Sequence, residues 1–167
     1  MELHETTKIR LETQPAIISE LINKLTEEQC NQEVLPGKWT IHQQLAHLVR
    51  YQEVFFERVH IIMSTFNAVI PTYVADEDEG FQKAVLLPVS QLLDNLHETR
   101  QRINEFYFNL NSGELIRKGS HAELGNFSLA LWAEFFLLHE AHHIFQIFRM
   151  CNMIQNKEYS ESGNAGL

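Results

Sequence analysis

Apolar residues in this chain recur at intervals of three and four in four long segments, and no β-branched run alternates convincingly. That period lines them along one side of an α-helix, whose burial then requires other helices to pack against. The first segment runs from Thr13 to Leu25, with Ile17, Ile18, Leu21, Ile22 and Leu25 on its stripe, and residues before Thr13 can add an extra turn or two. Pro15 suits a first-turn position there. The second spans Ile41 to Phe66, opened by Thr40 as N-cap, with Gln43 completing a capping box. The third follows Pro88, from Val89 to Asn109, and carries Leu92, Leu93, Leu96, Ile103 and Phe106. The fourth begins after Ser128, a capping residue, and reaches Ile154. Pro36-Gly37 and Asn111-Ser112-Gly113 mark turns, and Glu114 to Phe127 reads as irregular, with Gly119 and Gly125 as breakers. The acidic run Asp76-Glu77-Asp78-Glu79 reads as a solvated loop. A sheet has little support. The expected architecture is all-α: a four-helix bundle in one domain over residues 1–155, with a polar tail, 156–167.

Composition bounds the function. The chain has 167 residues, 44% of them hydrophobic, enough for one sizeable core. Its formal net charge of −9 repels phosphate backbones, so a general nucleic-acid binder is disfavoured. The two cysteines, Cys30 and Cys151, make no disulfide framework and point to a reducing compartment. The N-terminus carries no visible signal peptide, and no stretch reaches the length of a membrane span, so a cytoplasmic protein without membrane association is expected. Nine histidines against seven glycines is the oddity. Long helices explain the few glycines; the histidines need their own account.

On the last helix His139 and His143 are four residues apart. They lie about 40° apart around the axis and about 6 Å apart along it, so both rings can grip one divalent ion. Trp132, Phe135, Phe136, Gln146 and Met150 share their side, which therefore faces the core. On the second helix His47 shares its side with Tyr51, Val54, Phe55, Ile61 and Ile62. Three inward imidazoles plus an open position is the ligand count of a catalytic-type metal site. A hydrogen-bonded core set without a metal is the plainer alternative. His42 and His60 fall on the other side of their helix, and His4, His97 and His121 have no partner at a diagnostic spacing.

Pro36-Gly37-Lys38-Trp39-Thr40-Ile41 with His47-Leu48 resembles the first signature of the DinB/YfiT-like superfamily, and His139-Glu140-Ala141-His142-His143 with Gln146 resembles the second. The connection from Gly113-Glu114-Leu115 to Ser128-Leu129 is also similar. The resemblance covers Thr13 to Ile154. It implies an up-down-down-up four-helix bundle, often a homodimer, with a divalent metal, usually nickel or zinc, on His47, His139 and His143. It further implies activity as a metal-dependent hydrolase or as a thiol S-transferase using a low-molecular-weight thiol. Other members of the family have no known activity, so a binding module without turnover is a second expectation.

His139-Glu140-Ala141-His142-His143 also fits the H-E-x-x-H helix of zinc proteases, with Glu140 as general base. That reading lacks a downstream ligand, since no histidine follows His143. Glu140 is about 100° from His139 and is expected at a helix boundary or in solvent. Candidate substrate contacts are Tyr51 and Arg58, within about 40° of His47, and Gln146, one turn from the histidine pair. Arg58 either meets an anion or snorkels to the bundle end, the latter being slightly favoured. Trp39 is expected to pack over the bundle end, and Cys151 to be a packing residue. A second apolar row, Leu137, Ile144 and Phe148 on the last helix with Leu45, Val49 and Phe56 on the second, suggests a homodimer face, unless neighbouring helices cover it. The expected partner is otherwise a small-molecule substrate.

Overall fold

A computed structural model describes residues 2–164, with side chains up to residue 156. Four long helices form the body: α1 (Glu5–Ile22), α3 (Ile41–Ser64), α5 (Val89–Phe108) and α7 (Leu129–Asn164). Three short helices lie between them: α2 (Glu27–Cys30), α4 (Glu79–Ala84) and α6 (Ser112–Leu115). Thr40 caps α3 through the expected capping box with Gln43, and Ser128 Oγ accepts from Leu131 N–H at the start of α7.

Contacts between the helices fix their directions. Thr7 and Arg10 meet Glu134, and Gln14 meets Leu137 and Glu140, so α1 and α7 run parallel. Gln52 meets Leu96 and Phe56 meets Phe106, so α3 and α5 also run parallel. Phe55 stacks on Phe136 and His47 meets His139, which sets α3 antiparallel to α7. The order is therefore up-down-down-up. Parallel neighbours cannot be joined by a tight turn, so residues 65–88 must return along the whole length of α3, about 36 Å.

That return segment is pinned at both ends. Near its start, β1 (Ala68–Ile70) pairs parallel with β2 (Lys118–His121), which pairs antiparallel with β3 (Gly125–Ser128). This small sheet corrects the expectation of irregular structure over Glu114–Phe127. Burial alternates along β1 and β2, but Ala-Val-Ile is apolar throughout and Lys-Gly-Ser-His has no large apolar residue, so the residue types do not show it. Gly119 lets the sheet approach α3: a Cβ there would meet Ile62 Cγ1 at 2.7 Å. Near its other end, Arg50 of α3 grips Asp78 with Nε–Oδ1 2.9 Å and Nη2–Oδ2 3.2 Å, while Asp78 Oδ1 caps α4 through Phe81 N–H at 2.6 Å. Arg50 holds the Asp78 carboxyl below its ordinary range. So Asp78 belongs to a docked corner, unlike the free loop expected of the acidic run.

Pro15 sits inside α1 rather than in its first turn, because His4 caps a helix that begins at Glu5, about two turns before Thr13. A proline leaves the carbonyl four residues earlier without its helical donor. That carbonyl, Leu11 O, accepts instead from Arg100 Nη1 and Asn104 Nδ2 of α5, both at 3.2 Å. Arg100 also donates from Nε to Gln52 Oε1 at 3.2 Å and from Nη2 to Glu140 Oε1. Glu140 Oε2 accepts from Gln14 Nε2 at 2.8 Å. One side chain from each long helix thus meets in a buried polar layer, with Arg100 2% and Glu140 0% exposed. Two apolar clusters flank it, one around Leu45, Leu96 and Ile147, the other around Phe55, Ile103 and Phe136.

Three further expectations change. Glu140 is at the centre of the bundle, not at its boundary. Leu45, Val49 and Leu137 are buried within the chain, because α3 is covered by α5, α7, α4 and β1, and α7 lies against α1, α3, α6 and β3. The last helix does not stop near Ile154: residues 156–164 continue it, and 165–167 of the expected tail lie outside the described residues. Among the described residues no helix is long and apolar enough to cross a membrane.

Removing one partner of a buried ion pair strands the other in low dielectric. Glu140→Leu is expected to cost about 3–5 kcal/mol in urea denaturation. The double variant Arg100→Met/Glu140→Leu should lose less than the sum of the two single changes, as a double-mutant cycle would record.

Candidate metal centre

The antiparallel α3–α7 pair brings His47, His139 and His143 together, one turn from the buried polar layer. His139 Nε2 lies 3.3 Å from His47 Nε2 and 3.2 Å from His143 Nε2. One ring nitrogen from each lies within 4.8 Å of the others. Two nitrogens on one tetrahedral ion, with bonds of about 2.0–2.1 Å, are separated by roughly 3.3 Å. The spacing therefore fits a shared cation. Without an ion, each Nε2–Nε2 contact is a hydrogen bond only where one ring of the pair donates.

Gln44 settles the question for one ring. Its Oε1 can only accept, and it lies 2.6 Å from His143 Nδ1. The proton is thereby placed on Nδ1, and the Nε2 lone pair is left facing the other two rings. The buried Nδ1 atoms of His47 and His139 have no hydrogen-bond partner among the described residues. Trp39 packs on His47 at 5.0 Å between centroids and stacks on His143 at 6.4 Å, so it covers the imidazoles as well as the bundle end. Tyr51 stacks on His139 at 3.8 Å. From the return segment, Phe81 meets both Trp39 and His47, and Tyr73 stacks on His47 at 6.0 Å.

Burial in this apolar shell favours neutral imidazole, the ligand form. It lowers the pKa of His47 to about 4, of His143 to about 3 and of His139 to about 2, with the neighbouring imidazoles adding to the last two. The Tyr51 and Tyr73 phenols are raised by the same desolvation.

The other candidates divide. Arg58 is 4% exposed and does not snorkel: Nη1 donates to Tyr51 Oη at 3.2 Å and Nη2 to Pro71 O at 2.9 Å. Gln146 does not reach His143; it accepts from Arg149 at 3.3 Å and lines a hollow of about 650 Å³ with Trp39, Gln44 and His142. The orienting role considered for Gln146 is filled by Gln44, which the sequence analysis did not single out. Glu140 has both carboxylate oxygens engaged by Arg100 and Gln14, away from the general-base role of the protease motif. His42 is a packing residue that meets Leu87 O at 2.8 Å, and Cys151 lies in the apolar core.

The family model described as the DinB superfamily matches residues 10–147. This chain belongs to the DinB superfamily. A protein of Oceanobacillus iheyensis named "Putative metal-dependent hydrolase" is 24% identical over 142 residues, 84% of this chain and 81% of its own. Among solved structures, YfiT from Bacillus subtilis, described as "a probable metal-dependent hydrolase with an unusual four-helix bundle topology", superposes with a TM-score of 0.79 at 19% identity, covering 90% of this chain and 87% of that one. An uncharacterised protein from Clostridium difficile 630 gives a TM-score of 0.65 at 12% identity, covering 93% and 95%. The DinB-like topology is thus shared with solved structures at identities that speak only for the fold.

The lowered imidazole pKa values make a pH prediction with a definite sign. Each folded value lies below 6.5, so unfolding takes up protons at acidic pH and stability falls as pH drops through 6.5. Between pH 7 and 5.5 the metal-free protein is expected to lose about 1 kcal/mol per imidazole in urea denaturation. His139→Leu should reduce that dependence by about a third.

Proposed function

We propose that this DinB-superfamily protein is a metal-dependent hydrolase acting on a small molecule, with His47, His139 and His143 as the ligands of one divalent ion. The observation that carries the reading is the convergence of three Nε2 atoms, one of them fixed as a lone pair by Gln44. The names given to the relatives support it. When bound, such an ion supplies Lewis acidity, which lowers the pKa of water or of a thiol toward neutrality. The chain supplies the rest. His47, His139 and His143 present neutral nitrogen, Gln44 holds the tautomer of His143, and Trp39, Phe81 and Tyr73 exclude water from one side. Tyr51 and Arg58 sit where a substrate would approach. Zinc and nickel both suit three imidazoles.

Transfer to a low-molecular-weight thiol uses the same centre and is separated by assay: an electrophile consumed only with added thiol marks the transferase, an ester or amide cleaved without it the hydrolase. A protein that binds metal and turns over neither is a binding module. Two free, buried cysteines suit a cytoplasmic location.

Protein purified without a nickel column should carry about one equivalent of zinc or nickel by elemental analysis, and His47→Ala and His143→Ala should lose it. Unchanged content in both variants would sink the metal reading. Gln44→Leu should lower metal affinity about 10–100-fold, the usual effect of losing a group that orients a ligand.

A second copy of the chain is the proposed macromolecular partner. Leu131, Leu138 and Phe145, spaced by sevens on α7, are each more than half exposed. Light scattering at micromolar concentration should give the dimer mass, and Leu138→Glu should give the monomer.

A further inference from the structure

Beside His47 and His139, a cavity of about 230 Å³ opens between α3, the return segment and the tip of the β2–β3 hairpin. The sheet builds it. Ile70 of β1 is in register with His121 of β2, so the residues that follow, Thr72 and Tyr73, run beside the hairpin tip at His121–Leu124. Tyr51, Arg58, Phe135 and His139 form the inner wall.

The polar inventory of this cavity is lopsided. Arg58 is buried, and among the described residues no carboxylate pairs with it. Its fork carries five N–H groups, and its two hydrogen bonds go to neutral oxygens, of Tyr51 and Pro71. Nε is buried and has no hydrogen-bond partner among the described residues. Tyr51 Oη accepts from Arg58, which leaves its own proton free to donate. Tyr73 Oη is likewise buried without a partner among the described residues. His121 Nδ1 accepts the backbone N–H groups of Glu123 and Leu124 at 3.2 and 3.3 Å, so its remaining proton is on Nε2 and it is a donor as well. The one carboxylate among the lining residues, Glu123, is exposed, where water screens it. Two neutral oxygens and the ring faces of Tyr51 and Trp132, whose centroids lie 5.7 and 5.8 Å from the guanidinium carbon, offset the buried charge of Arg58 only in part, and the other polar groups beside it are donors, so the site favours a negative guest.

We infer that this cavity takes a small organic carboxylate, held by Arg58 with Tyr51 and Tyr73, and so that the substrate is a carboxylic acid whose reacting bond lies several bonds from that group. This rests on the hydrolase reading for the reaction, though not for the anion site. Arg58 and His139 are separated by a single phenol ring, Tyr51, which touches both. A carboxylate on Arg58 therefore leaves the other end of the molecule beside the imidazoles. The volume is below the about 300–1,000 Å³ typical of drug-sized ligands, so the acid is small. Arginine's planar fork matches a carboxylate better than it matches a neutral amide.

The test uses metal-stripped protein, so that a carboxylate cannot register by binding a metal. Isothermal titration with sodium benzoate should show one site, and benzamide, of the same shape without the charge, should bind at least tenfold more weakly. Arg58→Gln should weaken benzoate at least tenfold, Arg58→Lys less, and Tyr73→Phe several-fold, with folding checked by circular dichroism. No benzoate binding, equal binding of benzamide, or undiminished affinity in a folded Arg58→Gln protein would overturn the inference. Should Arg58→Gln fail to fold, the comparison of the two ligands on the unaltered protein decides. Failure of the metal reading appears separately, as absent metal in the untreated protein, and leaves this titration unaffected.

Discussion

The buried ion pair between Arg100 and Glu140 is the interaction on which the bundle's arrangement depends. Apolar faces alone do not specify which helix sits opposite which, since hydrophobic burial has no direction. Arg100 does: it must reach Glu140 on α7, Gln52 on α3 and the carbonyl that Pro15 leaves bare on α1. Together the three bonds tie α5 to each of the other long helices. The layer also fixes rotation. With Glu140 turned toward α1 and α5, the residues to either side of it are aimed elsewhere, and His139 and His143 face α3 and His47.

That link between a structural clasp and the imidazole cluster explains why one short stretch of sequence carries two meanings. His139-Glu140-Ala141-His142-His143 reads as a protease motif if its glutamate is given a catalytic role. In this fold the glutamate belongs to the core and the histidines to the site. The third imidazole comes from another helix rather than from further along the same one.

The long helices were legible because each presents an apolar stripe, and the three histidines because two share a helix face and the third lies on a face of the same character. Three things escaped that logic. The short sheet escaped because Ala68–Ile70 is apolar at its exposed position as well as at its buried ones, so its residue types do not show the alternation of its burial. The place of Pro15 escaped because its compensation, from Arg100 and Asn104, comes from almost ninety residues away. Gln44 escaped because a glutamine near the start of a helix is ordinary until the ring it orients is in view. Arg58 was noticed, but from a helical wheel its burial could not be told from snorkelling. Only the return segment, whose Pro71 carbonyl holds its Nη2, decides the matter.

Parallel pairing of α3 with α5 obliges the chain to travel back along the bundle, and the route taken passes over the imidazoles. Stability and access are consequently written in different stretches of the sequence. The clasp and the apolar stripes belong to the four long helices, whereas Tyr73, Phe81 and the corner held by Asp78 belong to residues 65–88. Substitutions in that crossover can reshape the guest chamber while the frame and its three nitrogens stay as they are. In a scaffold wired this way, redrafting one connection changes what the cavity admits.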